Sequence, residues 1–106
     1  MTFVSSAALL DAIVLAVVSR EKDGAYGYRI TQQVKDVLDV SESALYPVLR
    51  RLQKDDCLTV RDATFNGRNR RYYQTTAKGL AQLDSYRDDW TTYKEKIDQI
   101  FWGEPQ

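Results

Sequence analysis

At 106 residues, with 43% hydrophobic and 28% charged content and a formal net charge of zero, the chain has the composition of one small soluble globular domain with little surplus stability. Its one cysteine, Cys57, excludes an intramolecular disulfide, and the lack of histidine removes the usual general base and the commonest metal ligand. Without a glycine-rich phosphate loop or a metal-spaced cluster, no catalytic constellation can be assembled, so the expectation is a non-enzyme with no cofactor and no metal in a reducing, cytoplasmic setting.

Residues 3–18 are nearly all apolar, interrupted by Ser5, Ser6 and Asp11. The run is too short and broken for a membrane span, which needs about 20 apolar residues. It has no Lys or Arg before it and no small-x-small cleavage site ahead of Arg20, so it does not read as a signal peptide. The pattern predicts a core helix. Because residues 7–18 are apolar around almost the whole circumference, the helix calls for more neighbours than one small domain supplies, which assigns Leu9 and Ile13 to a subunit interface.

The next helix is expected over residues 26–38, burying Ile30, Val34, Val37 and Leu38 at helical spacing. A short link through Asp39 and Val40 leads to a further helix with Ser41 and Ser43 as N-cap candidates. There Leu45, Val48, Leu49 and Leu52 share one face. The opposite face carries Ser43, Pro47, Arg50 and Lys54, flanked by Ala44, Tyr46 and Arg51. Pro47 lacks an N–H and places the start of that helix close to Ser43. Two helices joined in this way form a helix-turn-helix pair, in which the second lies in a DNA major groove.

A hairpin follows. Residues 57–61 and 70–75 read as strands, and Asn66-Gly67 between them is a strong turn signal because both residues tolerate positive φ. Cys57 reads as a buried thiol at the head of the first strand, and one of Tyr72 and Tyr73 is expected in the core. The tip and returning strand hold Arg68, Asn69, Arg70 and Arg71. Between residues 50 and 76 there are seven Lys/Arg against three Asp/Glu, so positive charge gathers where the groove-reading shape lies.

Thr76 is the expected N-cap of a last helix running to about residue 101. Leu83, Tyr86, Trp90, Tyr93, Ile97 and Ile100 recur at alternating spacings of three and four, a coiled-coil seam. Some 25 residues make a helix of roughly 37 Å, so part of it should project and pack against a second copy. Aromatic rings at three of the six seam positions pack less regularly than Leu or Ile. An opening between subunits could then admit a planar aromatic compound against Trp90, Tyr86 and Tyr93; plain dimer packing explains Trp90 equally well. Residues 103–106 are expected to fray.

The run Tyr26-Gly27-Tyr28-Arg29-Ile30, then residues 44–52 (ALYPVLRRL), then Gly67-Arg68-Asn69-Arg70-Arg71-Tyr72-Tyr73 closely resembles the PadR family of bacterial transcriptional regulators. Three motifs in the right order with compatible gaps cover nearly the whole chain. The single last helix resembles the short-helix subgroup, which includes a multidrug-responsive member. The resemblance implies a mainly α fold with a small β-hairpin (α+β), a winged helix-turn-helix with a long C-terminal dimerisation helix. Residues 1–76 would form the DNA-binding domain, its first helix also in the dimer interface, and residues 77–106 the dimerisation helix. The implied function is a homodimeric repressor of double-stranded DNA, with no membrane partner. Candidate DNA contacts are Tyr26, Tyr28, Ser41, Ser43, Ala44, Tyr46, Arg50, Lys54, Gly67, Arg68 and Arg70.

Two departures from the family pattern stand out: Asp56 where Gly is usual after the recognition helix, and Thr75 where Leu is usual before the last helix. A winged-helix protein-interaction module that never touches DNA is the competing expectation. It is supported by the zero net charge and by six Asp/Glu against four Lys/Arg after Thr76. Salt-dependent duplex binding separates the two.

Overall fold

The computed structural model describes residues 6–103. The elements in chain order are α1 (Ser6–Ser19), β1 (Ala25–Tyr26), α2 (Gly27–Lys35), α3 (Glu42–Lys54), β2 (Leu58–Phe65), β3 (Arg68–Thr75) and α4 (Ala77–Trp102). The three strands form one antiparallel sheet in the order β1-β3-β2. This is the α+β arrangement expected, with a third short strand added. The expected start of the first apolar run at Phe3 and the tail after Gly103 lie outside the described residues.

α1 is the centre of the core. Val14, Leu15 and Val18 are fully buried, and every residue from 8 to 19 is buried or half-buried. The all-round apolar pattern is therefore real, and Leu9, Ile13, Ala16 and Val17 are packed against the core without being enclosed by it.

α2 is shorter than its pattern suggested. Tyr26 belongs to β1, and the helix stops at Lys35 with Asp36 as its C-cap. The backbone then turns: the N–H groups of Val37 and Leu38 both donate to the carbonyl of Val34, at 3.0 and 2.8 Å. That turn takes Val37 out of helical register. The expected burial of Val37 is overturned, for it is 75% exposed, and Leu38 is half-buried. Ile30 and Val34 are buried as expected, together with Thr31, whose hydroxyl donates to the Tyr28 carbonyl at 2.7 Å.

α3 begins at Glu42. The Ser41 hydroxyl caps it by accepting from the Ala44 N–H at 3.2 Å, and Glu42 sits favourably in the first turn. Leu45, Val48, Leu49 and Leu52 are all buried. Pro47 is the sixth helical residue, so the Ser43 carbonyl lacks its usual donor. Both residues lie on the exposed side, where water can supply the missing bond.

The end of α3 explains the Asp56 departure. Asp56 N–H donates to Gln53 at 3.0 Å and Cys57 N–H to Leu52 at 2.9 Å, the two bonds of a Schellman motif. That motif demands a left-handed residue, and Asp56 supplies it with φ 61 where Gly would do so without strain. The buried Cys57 and Leu52 provide the accompanying apolar contact. Cys57 therefore closes the helix just before β2.

In the hairpin, Phe65 pairs with Arg68 across a two-residue loop in which Asn66 (φ 51) and Gly67 (φ 76) both take positive φ, as a type I′ turn requires. The strands run longer than the expected 57–61 and 70–75. Asp62, Ala63 and Thr64 give no apolar alternation, but the tight turn fixes their register and zips them to Asn69, Arg70 and Arg71. Tyr73 is the buried tyrosine of the pair and Tyr72 is half-buried.

α4 is capped as expected, with the Thr76 hydroxyl accepting from the Gly79 N–H at 2.9 Å. It runs 26 residues and ends at Gly103 in the left-handed region. Gly79 governs how its first turn sits: a Cβ there would come within 2.2 Å of the Cys57 carbonyl oxygen. Thr76 joins the same knot, with its N–H on the Cys57 carbonyl at 3.0 Å and its hydroxyl donating to the Asp56 carbonyl at 2.6 Å.

Candidate nucleic-acid interface

The outward side of α3 is free of its own core. Ser41, Ser43, Ala44, Tyr46, Pro47, Arg50 and Lys54 all lie on it and all are exposed, because the apolar period of the helix turns every large aliphatic side chain inward. Gly67 and Arg68 at the tip of the hairpin are exposed as well, and Tyr28 at the start of α2 is 54% exposed. Most of the groove-facing residues expected from the sequence are thus presented to solvent.

Four arginines are engaged within the chain. Arg51, placed on the flank of the reading face, turns instead toward α1 and grips Asp11 with both Nε and Nη2. That hydrogen bond raises the Arg51 pKa further above its ordinary value. Arg71 pairs with Asp62 at 3.4 Å across the hairpin. Arg61 donates to the Asp23 carbonyl at 2.7 Å and lies 4.9 Å from the Tyr72 ring centre. Arg70 is half-buried, its guanidinium 4.5 Å from the centre of Tyr26 and 4.4 Å from that of Phe65. Tyr26 is half-buried too, with ring centres 5.9 Å from Tyr72 and 6.2 Å from Tyr28. The outer face of the sheet therefore carries a file of rings and guanidinium groups, with Arg61 against Tyr72, Tyr72 against Tyr26, and Arg70 between Tyr26 and Phe65, while Arg50 and Lys54 on α3 and Arg68 at the hairpin tip are exposed.

Sequence reasoning missed this file. β1 is two residues long, too short to be read as a strand, and without it Tyr26 and Tyr72 are not neighbours. The Asp11–Arg51 pair was equally hidden, 40 residues apart, although a lone acid in an otherwise apolar helix is a signal that a partner exists.

The seam of α4 divides in two. Leu83 (2% exposed) and Tyr86 (9%) are enclosed by the chain's own core, while Trp90 (44%) and Ile100 (79%) are not, and Tyr93 and Ile97 are half-buried. Burial raises the Tyr86 phenol pKa, with the nearby Asp11 carboxylate adding to the effect. Between α1, the end of α2 and α4 lies an open, mostly apolar groove of about 590 Å³, lined by Leu9, Ile13, Leu38, Leu83, Tyr86 and Trp90 among others. Tyr93 stands behind Trp90 with ring centres 6.1 Å apart. No group of side chains suited to a metal ion occurs among the described residues, and no described helix is long and apolar enough to cross a membrane.

Comparison with known proteins places this architecture. The profile of the family described as "Transcriptional regulator PadR-like family" matches residues 14–85. A crystal structure of a Streptococcus mutans protein shares 36% identity, covering 100% of this chain and 98% of that one, with a TM-score of 0.86. A PadR-like transcriptional regulator from Bacillus cereus is 29% identical over 92% of this chain and 95% of its own, with a TM-score of 0.79. An uncharacterized protein of Lysinibacillus sphaericus is 33% identical over 99 residues, 89% of each chain.

Proposed function

This chain belongs to the PadR-like family of transcriptional regulators, and we propose that it acts as a homodimeric repressor on a pseudo-palindromic operator in the cytoplasm. The observation that carries this reading is the outward polar and cationic side of α3, from Ser43 to Lys54, on a helix whose other side is wholly buried. In this reading α1 to β3 make up the reading head and α4 the dimerising helix. A two-fold axis would set two α3 helices about 34 Å apart in successive major grooves. Ser43, Ala44 and Tyr46 then face base edges, while Arg50, Lys54 and Arg68 meet phosphates, with Ser41, Gly67 and Tyr28 alongside.

Dimerisation is supported by the apolar residues that the monomer leaves uncovered or half-covered: Leu9 and Ile13 on α1, and Trp90, Tyr93, Ile97 and Ile100 on α4. The groove beside Trp90 supports a role for a planar aromatic effector that stacks there, alters the separation of the heads and releases DNA by its differential affinity.

Gel-shift titration against specific and scrambled duplexes tests the reading. Arg68→Ala should weaken binding to all sequences alike, and changes at Ser43 or Tyr46 should shift operator preference. Failure of the wild-type protein to bind duplex DNA even in dilute buffer would sink the repressor and leave the protein-interaction module.

A further inference from the structure

On the outer face of the sheet, backbone pairing between the hairpin and the body of the domain stops early. β1 meets β3 at two positions, Ala25 with Tyr73 and Tyr26 with Tyr72. From Arg71 to the tip, β3 is paired to β2 alone, and a two-stranded ribbon by itself is marginally stable in water. The Arg71–Asp62 pair on the other face ties these two strands to each other and not to the body.

Arg70 reaches past that limit. It stands two residues beyond Tyr72 on the same face. Its guanidinium lies against Tyr26, on the strand that leads into α2, and against Phe65, the last residue of β2 before the turn. One side chain so links the root of the wing to its tip across all three strands. A planar, delocalised guanidinium suits this place, whereas an ammonium group would keep the charge but lose the stacking. The half-burial of Arg70 beside the exposure of Arg68 fits the same division of labour.

We propose that Arg70 is a positioning residue: it clamps the wing to the Tyr26 end of α2 so that Arg68 is held at a fixed angle to the reading helix. This rests on the DNA-binding reading above and gives Arg70 a different role from the phosphate contact expected of it.

Salt dependence separates the two roles, because each cation taken away from the phosphates lowers the slope of log K against log salt by about 0.9, and one substitution in a homodimer takes away two. The probe is a fluorescein-labelled mixed-sequence duplex of about 30 base pairs, long enough for two half-sites one turn apart. It is titrated by anisotropy at several salt concentrations with wild type, Arg68→Gln, Arg70→Gln, Arg70→Lys, Phe65→Leu and the double variant that combines Phe65→Leu with Arg70→Gln. Arg68→Gln should flatten the slope. Arg70→Gln should weaken binding roughly threefold to tenfold with the wild-type slope retained, Arg70→Lys should fail to restore affinity, and Phe65→Leu should reproduce the loss without adding to it in the double variant. A flattened slope in Arg70→Gln together with rescue by lysine would overturn the proposal.

Hydrogen exchange without DNA supplies an independent reading. Hairpin amides of residues 62–72 should exchange faster in both Arg70→Gln and Phe65→Leu. Unchanged exchange in both overturns the clamp, whatever the binding data show. If the wild type ignores the duplex, the function proposed above fails, and the exchange experiment alone decides the clamp.

Discussion

α3 and α4 are both helices with an apolar stripe, yet they end in opposite conditions. Every large aliphatic residue of α3 is enclosed by the chain that carries it, and what remains outside is polar, small or cationic, with the ring of Tyr46 among them. On α4 the stripe runs on after the core has ended, so its outer half shows Trp90, Ile100, Phe101 and Trp102 to solvent. The first condition suits a surface that meets water and phosphate; the second suits one that meets more protein. A stripe therefore has to be read by length as well as period, because a helix of about 39 Å outruns a core of this size.

Matched truncations test that contrast most strongly. Leu49→Ala should cost about 2–5 kcal/mol and lower the denaturant midpoint equally at every protein concentration. Gly79→Ala, which drives a methyl against the Cys57 carbonyl, should cost about 1–3 kcal/mol, read as a lower melting temperature. Ile97→Ala combined with Ile100→Ala should leave the dilute protein as stable as wild type while weakening self-association about tenfold or more, measured by sedimentation. If the isoleucine pair instead unfolds the dilute chain as Leu49→Ala does, the two helices are not different in kind.

Smaller effects sharpen the boundary between them. Asp56→Gly should stabilise by about 0.5–1 kcal/mol, since it relieves a left-handed residue at the end of α3 while giving up some of the gain to greater chain freedom. The smallest is a pH effect at the joint with α4. Burial raises the Cys57 thiol and the Tyr86 phenol above their ordinary values of 9.0 and 10.0. The folded chain then holds protons that the unfolded chain releases. Stability is full below about pH 9 and should decline as pH rises through the folded values, visible in denaturant midpoints taken between neutral and alkaline buffer.

Much of this was legible in the sequence because it rests on local rules. Ser41 and Thr76 announce their helices by capping chemistry, Asn66-Gly67 fixes the hairpin by its tolerance of positive φ, and the four aliphatic residues of α3 follow helical period. What was not legible depends on distant pairing. Val37 continued the apolar period of α2, but the chain turns at Asp36 before reaching it. Arg51 and Arg70 looked like any other cations of a basic segment until Asp11, 40 residues away, and Tyr26, on a two-residue strand, came alongside. Arg50 and Lys54 needed no such partners and lie on the outward face, as their spacing required.

The missing side chain at Gly79 makes the junction of hairpin and last helix a welded corner. With the Asp56 and Cys57 carbonyls both fastened to Thr76, the tail end of α3 and the first turn of α4 must pivot together. α4 then behaves as a spoke of about 39 Å, and one degree of tilt at the corner sweeps its far end by about 0.7 Å. Whatever nudges the distal tip is geared down into a fine rotation of α3.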